Sequence, residues 1–233
     1  MTVVRAGDAA VTLEFDERID PAISLRAAGV ASAVLAEQLA GIRDVVPTYR
    51  SVTVYFDPLR TDQEKLTATL ERLAESVETR EAPRRPAIRI PVCYGGDYGP
   101  DLAKVAAFAG LSEADVIHIH SAATYRVLML GFTPGFAYMG IVDPRIAAPR
   151  LETPRSRVTR GSVGIAKDQT GIYPSDTPGG WQIIGRTPAR TFDLTRADPF
   201  LLHSGDEVQF VPIAREAFER ALGEAEGRVE GRP

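Results

Sequence analysis

The chain has 233 residues, 44% of them hydrophobic and 25% charged, a composition typical of globular proteins. The formal net charge of -4 disfavours a surface built to neutralise nucleic-acid phosphates, and the single cysteine, Cys93, excludes an intrachain disulfide. No apolar run reaches the roughly 20 residues of a membrane helix, and the N-terminus lacks the apolar core of a signal peptide. We therefore expect a cytoplasmic protein of one large or two small domains, with neither nucleic acid nor membrane as a partner.

The first part of the chain predicts an α/β domain over residues 1–82. Apolar and polar residues alternate over residues 3–15, which predicts paired strands. Asp20 is a candidate helix N-cap, and Gly41 is the expected end of that helix. Two β-rich runs follow, and a second helix is predicted after Asp62.

A boundary is predicted within residues 78–86, which are charged, contain two prolines and hold little that a core would bury. Residues 87–91 have two interpretations. They complete a ferredoxin-like βαββαβ plan in the first domain, or they open the second domain, which we place at residues 83–213. A C-terminal segment is expected over residues 214–233, with a helix over residues 215–223 and a mobile tail over residues 224–233.

The second part predicts a β-barrel or sandwich preceded by helices. Asp101 and Ser112 are candidate starts of two short helices. From Tyr125 onward, short apolar runs alternate with glycine and proline, a pattern typical of closed or packed sheets. The chain is therefore expected to be α+β.

Two glycine-rich segments carry the strongest indications of a binding site. Residues 130–140 interleave three glycines with three aromatic residues, and residues 177–186 place the only tryptophan, Trp181, directly after two glycines. Glycine allows close approach of a ligand, and aromatic side chains supply rigid pocket walls. Both segments are also compatible with tight β-turns, so the two interpretations stay open at this point.

A series of motifs, in this order along the chain, resembles the family of 5-oxoprolinase B subunits, also called allophanate hydrolase subunit 1. The motifs occupy residues 91–96, 120–121, 125–127, 131–138, 153–155, 161–166, 169–174, 178–188, 204–206 and 210–213. The resemblance extends over residues 7–213, nearly the whole chain. Several long motifs coincide in order, which makes a chance match a poor explanation.

The resemblance implies an N-terminal ferredoxin-like α/β domain followed by a C-terminal cyclophilin-like β-barrel. It further implies a hydrolase of a cyclic amide that works within a complex, together with a homologous C subunit and an A subunit. Such a complex opens 5-oxo-L-proline to L-glutamate with ATP hydrolysis. The family also contains carboxyltransferase-type proteins related to urea carboxylase and an inhibitor of a sensor histidine kinase, which are the alternative functions.

Three histidines, His118, His120 and His203, are the only imidazoles available for proton transfer. His120 matches the family's His-Ser motif and is the candidate catalytic or substrate-orienting group. A satisfied histidine at a buried helix end is the competing interpretation. No acidic or cysteine residue completes a metal-ligand set around the pair at 118 and 120, so no metal site is expected.

Five arginines form a basic stretch over residues 145–160 in an otherwise acidic chain. Guanidinium groups suit carboxylate or phosphate ligands, and we expect one or two of the five to contact a ligand or a neighbouring protein of the complex. Arg157 and, beyond the stretch, Arg186 are preferred because they lie near the glycine-rich segments. No Gly-x-x-x-x-Gly-Lys-Ser/Thr loop is present, so ATP is expected to be bound by the assembled complex.

These considerations define the predicted site. The candidate catalytic residues are His120, Gln169 and Arg186. The substrate-binding candidates are Phe132, Pro134, Gly135, Tyr138, Arg157, Gly171, Tyr173, Gly179, Gly180 and Trp181.

Overall fold

The computed structural model describes residues 1–18, 20–77 and 86–230 of the chain. Its contacts separate two units, Met1–Arg84 and Arg85–Pro233, each with its own hydrophobic core. None of the helices in the described ranges is long and apolar enough to cross a membrane.

The predicted boundary after residue 82 and most of the predicted linker fall on residues 78–85. These residues lie outside the described part of the chain.

The first unit is a four-stranded antiparallel sheet with two helices packed on it, in the strand order β1-β2-β4-β3. Its elements are β1 (Thr2–Arg5), β2 (Ala10–Glu14), α1 (Pro21–Ala36), β3 (Ile42–Pro47), β4 (Ser51–Phe56) and α2 (Gln63–Ser76). The core lies between sheet and helices. It contains Val11, Leu13, Val52, Val54 and Phe56 from the strands, and Val30, Val34, Leu66, Leu70 and Leu73 from the helices.

The first helix begins as its cap predicts but ends early. The side chain of Asp20 accepts a hydrogen bond of 2.8 Å from the backbone N–H of Ala22. The helix ends at Ala36 and not at Gly41. Gly41 instead forms the turn into β3 with a φ of 82°, where an added Cβ would lie 2.3 Å from Oγ1 of Thr61.

The ferredoxin-like plan is not confirmed for the first unit, because its expected last strand belongs to the second. Residues 87–91 fall largely within β5 (Ile88–Tyr94), which pairs with other strands of the second unit. The edge position beside β2 is taken by β1, which precedes β2 in a hairpin. The β-α-β-β-α order of the remaining elements is as predicted.

The second unit is a closed seven-stranded barrel, in the order β10-β7-β6-β13-β5-β12-β9. Its strands after β5 are β6 (Thr124–Leu130), β7 (Ala137–Gly140), β9 (Ser162–Ala166), β10 (Gln169–Ile172), β12 (Gln182–Arg186) and β13 (Glu207–Pro212). A separate pair is formed by β8 (Arg155–Val158) and β11 (Thr177–Gly179). The predicted barrel is therefore confirmed, with β13 and β5 as a parallel pair that closes it.

Two short helices, α3 (Leu102–Ala109) and α4 (Glu113–Ala122), connect β5 to β6. Ser112 caps α4 as predicted, since its hydroxyl accepts from the N–H of Asp115 at 3.1 Å. The last helix, α5 (Arg215–Glu230), continues beyond the expected start of the tail, and residues 231–233 lie outside the described part. Phe218 of α5 is fully buried, 4.4 Å from the ring of Tyr98.

Both faces of the β9–β10 hairpin are covered. The inner face contributes Val163, Ile165 and Ile172 to the barrel core, while the outer face packs against a separate aromatic cluster. Every residue of the two strands is consequently buried. This explains why apolar residues and glycine fill most of both strands without a regular alternation with polar residues.

Candidate active site

An aromatic pocket of about 220 Å³ lies on the outer side of the barrel. Its walls come from the loop after β6, from β7, from the segment before β8 and from the turn between β11 and β12. We call it the aromatic pocket. It is lined by Phe132, Phe136, Tyr138, Arg150, Pro154, Tyr173, Pro178, Gly179, Gly180 and Trp181.

The rings of the aromatic pocket pack edge to face around Phe136. The ring of Trp181 lies 5.4 Å from that of Phe136 at 89°, and the ring of Tyr173 lies 5.2 Å from it at 85°. Tyr138 packs against Trp181 at 5.9 Å. Edge-to-face contacts between buried aromatic rings stabilise by about 0.5–1.5 kcal/mol each beyond the area they bury. The walls are therefore rigid before any ligand arrives.

Two glycines permit this packing. A Cβ added at Gly171 would lie 2.9 Å from the carbonyl oxygen of Ala137 and 3.1 Å from Cζ3 of Trp181. A Cβ at Gly179 would lie 2.4 Å from the hydroxyl of Tyr173. Since real Cβ atoms do not approach other atoms so closely, these positions accept only glycine without a shift of the pocket wall.

Six of the ten predicted substrate-binding residues line the pocket together. They are Phe132, Tyr138, Tyr173, Gly179, Gly180 and Trp181. Gly171 lies behind Trp181, whereas Pro134 and Gly135 shape the loop without lining the pocket. Four residues outside the predicted set also line it, namely Arg150, Phe136, Pro154 and Pro178. Arg150 belongs to the arginine stretch, and Phe136 and Pro178 belong to the two glycine-rich segments.

The remaining predicted residue, Arg157, lies in a second pocket with Arg186. This arginine pocket has a volume of about 190 Å³ and is lined by Asp97, Tyr98, Pro100, Arg155, Arg157, Val158, Thr159, Ser162, Ile183 and Arg186. Arg157 bonds the carboxylate of Asp176 through two nitrogens. Nε of Arg186 donates to the carbonyl of Arg160 at 2.9 Å, and its guanidinium lies 5.8 Å from the ring of Phe218.

The third arginine of this pocket, Arg155, is tied to a buried carboxylate. Its Nη2 lies 2.6 Å from Oδ1 of Asp101, whose Oδ2 accepts the backbone N–H of Ile183 at 2.6 Å. Asp101 is only 6% exposed. The ion pair therefore joins β8 to the start of α3, and the bond from Ile183 joins β12 to the same carboxylate. The charges of Arg155 and Arg157 are both balanced by acidic partners.

Comparison with known proteins places the chain in a family. Residues 1–202 match the model of the family described as carboxyltransferase domain, subdomain C and D. The chain is 40% identical over 227 residues to a Bacillus subtilis protein named as the B subunit of 5-oxoprolinase, covering 93% of this chain and 94% of that one. A protein of the same name from Escherichia coli O157:H7 is 42% identical over 208 residues, covering 88% and 93%. The chain belongs to the family of 5-oxoprolinase B subunits.

More distant relatives of this family member are much longer proteins. The crystal structure of TTHA0988 superposes with a TM-score of 0.76 at 36% identity, covering 88% of this chain and 40% of that one. The urea amidolyase of Saccharomyces cerevisiae is 25% identical over 254 residues, which cover 97% of this chain and 14% of the enzyme. The chain thus spans less than half of these proteins.

Gln169 of this family member holds an unused hydrogen-bond donor. The side chain is 8% exposed, and its Nε2 is buried without a hydrogen-bond partner among the described residues. Strand alternation points it outward, because its neighbour Thr170 faces the barrel interior. Gln169 therefore lies on the same outer face of β10 as Gly171, beside the aromatic cluster, although it does not line the aromatic pocket itself.

The side chain of His120 lies at one end of the barrel interior, and it does not line the aromatic pocket. Its Nε2 is 2.9 Å from Oγ1 of Thr170, which donates its own proton to the carbonyl of Gly164 at 3.0 Å. Thr170 must therefore accept from Nε2–H, which leaves Nδ1 to accept from the hydroxyl of Tyr94 at 2.8 Å. The ring also stacks on Phe210 at 4.7 Å.

The surroundings of His120 keep it neutral. The residue is fully buried, and this desolvation lowers the pKa of its imidazole from 6.5 to about 3. Both nitrogens are already engaged within the protein. This geometry favours the structural interpretation of His120 over direct proton transfer to a substrate.

In the described part of the chain, no group of three or more His, Cys, Asp or Glu residues is placed to hold a metal ion.

Proposed function

We propose that this chain is the B subunit of an ATP-dependent complex that hydrolyses 5-oxo-L-proline to L-glutamate, acting with a homologous C subunit and an A subunit. One observation carries the proposal. Motif residues scattered from 132 to 181 converge on a single aromatic pocket, in a chain 40% identical over nearly its full length to a protein named as the B subunit of 5-oxoprolinase.

The aromatic pocket suits a small ring. At about 220 Å³ it is smaller than the 300–1,000 Å³ typical of pockets for drug-sized ligands. Its rigid rings, led by Trp181 and Phe136, would hold a flat lactam by its faces and exclude water from it. Gln169 does not line this pocket in the chain alone. We propose that in the assembled complex its buried Nε2, which lacks a partner among the described residues, donates a hydrogen bond to the substrate.

His120 and Arg186 would then act indirectly or elsewhere. His120 bonds Thr170, the residue after Gln169 on β10, and we propose that it positions this strand. Arg186 and Arg157 border the arginine pocket, where we propose that they contact a neighbouring protein of the complex or an anionic group.

The arginine pocket does not fit ATP. A triphosphate requires several cations or backbone N–H groups converging without acidic partners. In the arginine pocket, Arg155 pairs with Asp101 and Arg157 pairs with Asp176. We therefore propose that ATP is held by the assembled complex through one of the other proteins, and that this chain contributes ring binding.

We also propose a fold assignment finer than a seven-stranded barrel. The second unit would be a cyclophilin-like barrel, and the first a variant of the ferredoxin-like plan in which β1 replaces the last strand. The corresponding domain limits would be residues 1–82 and 83–213, with 214–233 as a C-terminal extension.

A second candidate function is transfer of a carboxyl group. The matching family carries the name carboxyltransferase domain, and the urea amidolyase of S. cerevisiae shares 25% identity with this chain. This function would require a carboxylated carrier supplied by another protein. A complex that consumes such a carrier but releases no glutamate from 5-oxoproline would favour it.

The deciding experiment is glutamate release from 5-oxoproline by this chain co-purified with its A and C partner subunits. We expect release that requires ATP and stops when this chain is omitted. Phe132→Ala, in the pocket and 63% exposed, should raise KM, whereas Phe108→Ala, 56% exposed on α3 and outside it, should leave the kinetics unchanged. An intact complex without ATP-dependent release would refute the proposal, and binding of a sensor histidine kinase by that complex would point to regulation instead.

A further inference from the structure

The aromatic pocket contains one permanent charge. Of its ten lining residues, nine are aromatic, proline or glycine, and only Arg150 is ionised at neutral pH. Arg150 lies on the segment that leads into β8 and is exposed at the pocket mouth. An isolated cation at the mouth of an apolar pocket can bind an anionic group at one end of a ligand.

Among the described residues, Arg150 has no acidic partner, unlike three of the other four arginines of the stretch. Arg145 pairs with Asp143, and the arginines at 155 and 157 pair with carboxylates. Within the described ranges, no carboxylate lies within 4.0 Å of the Arg150 guanidinium, which makes no hydrogen bond there either. Its charge therefore remains available to a ligand.

The contact that Arg150 does make leaves its donors free. The guanidinium carbon lies 5.9 Å from the centroid of the Trp181 ring, an interaction of the cation with the ring's π-electrons. The five N–H donors of arginine form a planar fork that matches a carboxylate. A carboxylate bound by this fork would hold the rest of a small molecule in the aromatic pocket, close to Trp181.

We propose that Arg150 is the residue of the aromatic pocket that selects its ligand, by binding the carboxylate of a small, flat ring. The inference rests on the proposed function in one respect, which is the identity of the ligand. 5-Oxoproline is a lactam ring that carries such a carboxylate. It assigns the recognition of the carboxylate to this chain and to a residue other than Arg157 or Arg186.

The test uses the only tryptophan of the chain, Trp181, as a reporter. The full chain would be titrated with 5-oxoproline and with 2-pyrrolidinone, which has the same lactam ring without the carboxylate, while fluorescence is recorded. Arg150→Gln is the test variant. Arg160→Gln is the control, because Arg160 belongs to the same arginine stretch, forms no side-chain ion pair among the described residues and does not line the aromatic pocket.

We expect Arg150→Gln to weaken 5-oxoproline binding roughly 10- to 100-fold, the range for a hydrogen bond to a charged group, and to leave 2-pyrrolidinone binding unchanged. Arg160→Gln should bind both rings as the wild type does. Unchanged 5-oxoproline binding by Arg150→Gln would overturn the inference, and so would an equal loss for both rings, which would indicate a damaged pocket.

Kinetics of the complex with the A and C partner subunits separate this inference from the proposed function. If the isolated chain binds neither ring, the KM of the complex decides, since Arg150→Gln must raise it without a matching loss of kcat. An active complex whose KM is the same with Arg150→Gln as with the wild type would overturn the inference and leave the proposed function intact. Arg150-dependent binding of 5-oxoproline by a complex that does not hydrolyse it would support the inference and overturn the proposed function. Absence of both binding and hydrolysis would overturn the inference and the proposed function together.

Discussion

The hydroxyl of Tyr94 donates a hydrogen bond of 2.8 Å to Nδ1 of His120, a contact between β5 and the last turn of α4. Together with the bond from Nε2 to Thr170, it leaves the buried ring of His120 neutral and fully satisfied. A buried imidazole held in this way makes the protein sensitive to acid.

Stability should fall as the pH drops below 6.5. The unfolded histidine binds a proton near pH 6.5, whereas the folded one, with its lowered pKa, resists protonation down to about pH 3, so the contribution is complete above 6.5 and is lost between those values. From pH 8 to pH 5.5 we expect a loss of about 1.4 kcal/mol of unfolding free energy from this group. Urea denaturation at the two pH values measures it.

Variants of two histidines provide the controls for that measurement. His120→Gln should lower stability at pH 8 by about 1–3 kcal/mol, because Tyr94 or Thr170 loses a buried partner, and should lose the pH-dependent component. His118→Gln, at an exposed position on the same helix, should keep it. Wild-type stability that is equal at pH 8 and pH 5.5 would contradict the neutral, buried assignment.

Adjacent glycines in the pocket should respond differently to alanine. Gly179→Ala would place a Cβ 2.4 Å from the hydroxyl of the buried Tyr173, so we expect a loss of about 1–3 kcal/mol of unfolding free energy and a shifted Trp181 emission. At Gly180 the nearest atom would lie 3.6 Å away, an ordinary contact. Gly180→Ala should therefore change the free energy of unfolding by about 0.5 kcal/mol or less. Equal melting temperatures for both variants would show that Tyr173 moves aside freely.

Two ion pairs of the arginine stretch should differ in their contribution to stability. Asp101→Asn removes the carboxylate that bonds both Arg155 and the N–H of Ile183 in a buried setting, and we expect a loss of about 3 kcal/mol. Asp176→Asn weakens an exposed pair with Arg157 and should cost about 1 kcal/mol or less. Chemical denaturation of the two variants side by side checks this order, and a reversed order would exclude Asp101 as the link between α3 and β12.

Two glutamines should separate stability from activity. Gln169→Met removes an amide whose Nε2 has no partner among the described residues, so stability should be unchanged or raised, while glutamate release by the complex should fall about tenfold or more. Gln182→Met removes a bond of 2.9 Å from Nε2 to the carbonyl of Pro149, together with a buried Oε1 that has no partner among the described residues, and should cost about 1 kcal/mol or less. Full activity in an assembled complex carrying Gln169→Met would remove Gln169 from the site.

The sequence alone was sufficient for features that depend on neighbouring residues. Caps at Asp20 and Ser112 marked helix starts because a side chain bonds an N–H two or three residues ahead. Runs of apolar residues between glycines indicated the barrel, and the ordered motifs indicated the family, which the relatives confirm. Glycine next to tryptophan at 179–181 marked a pocket wall, although the sequence left a simple turn equally open.

Only the tertiary structure decided which distant residues meet and which groups are already paired. It assigned residues 88–94 to the barrel, because β13 offers them a parallel partner more than a hundred residues later. It placed His120 in a closed hydrogen-bond network and not in the pocket. It also paired Arg157 with Asp176, while Arg150 lies over Trp181 with no acidic partner in the described part of the chain. Burial and pairing are properties of contacts between distant segments, so residue type and spacing cannot reveal them.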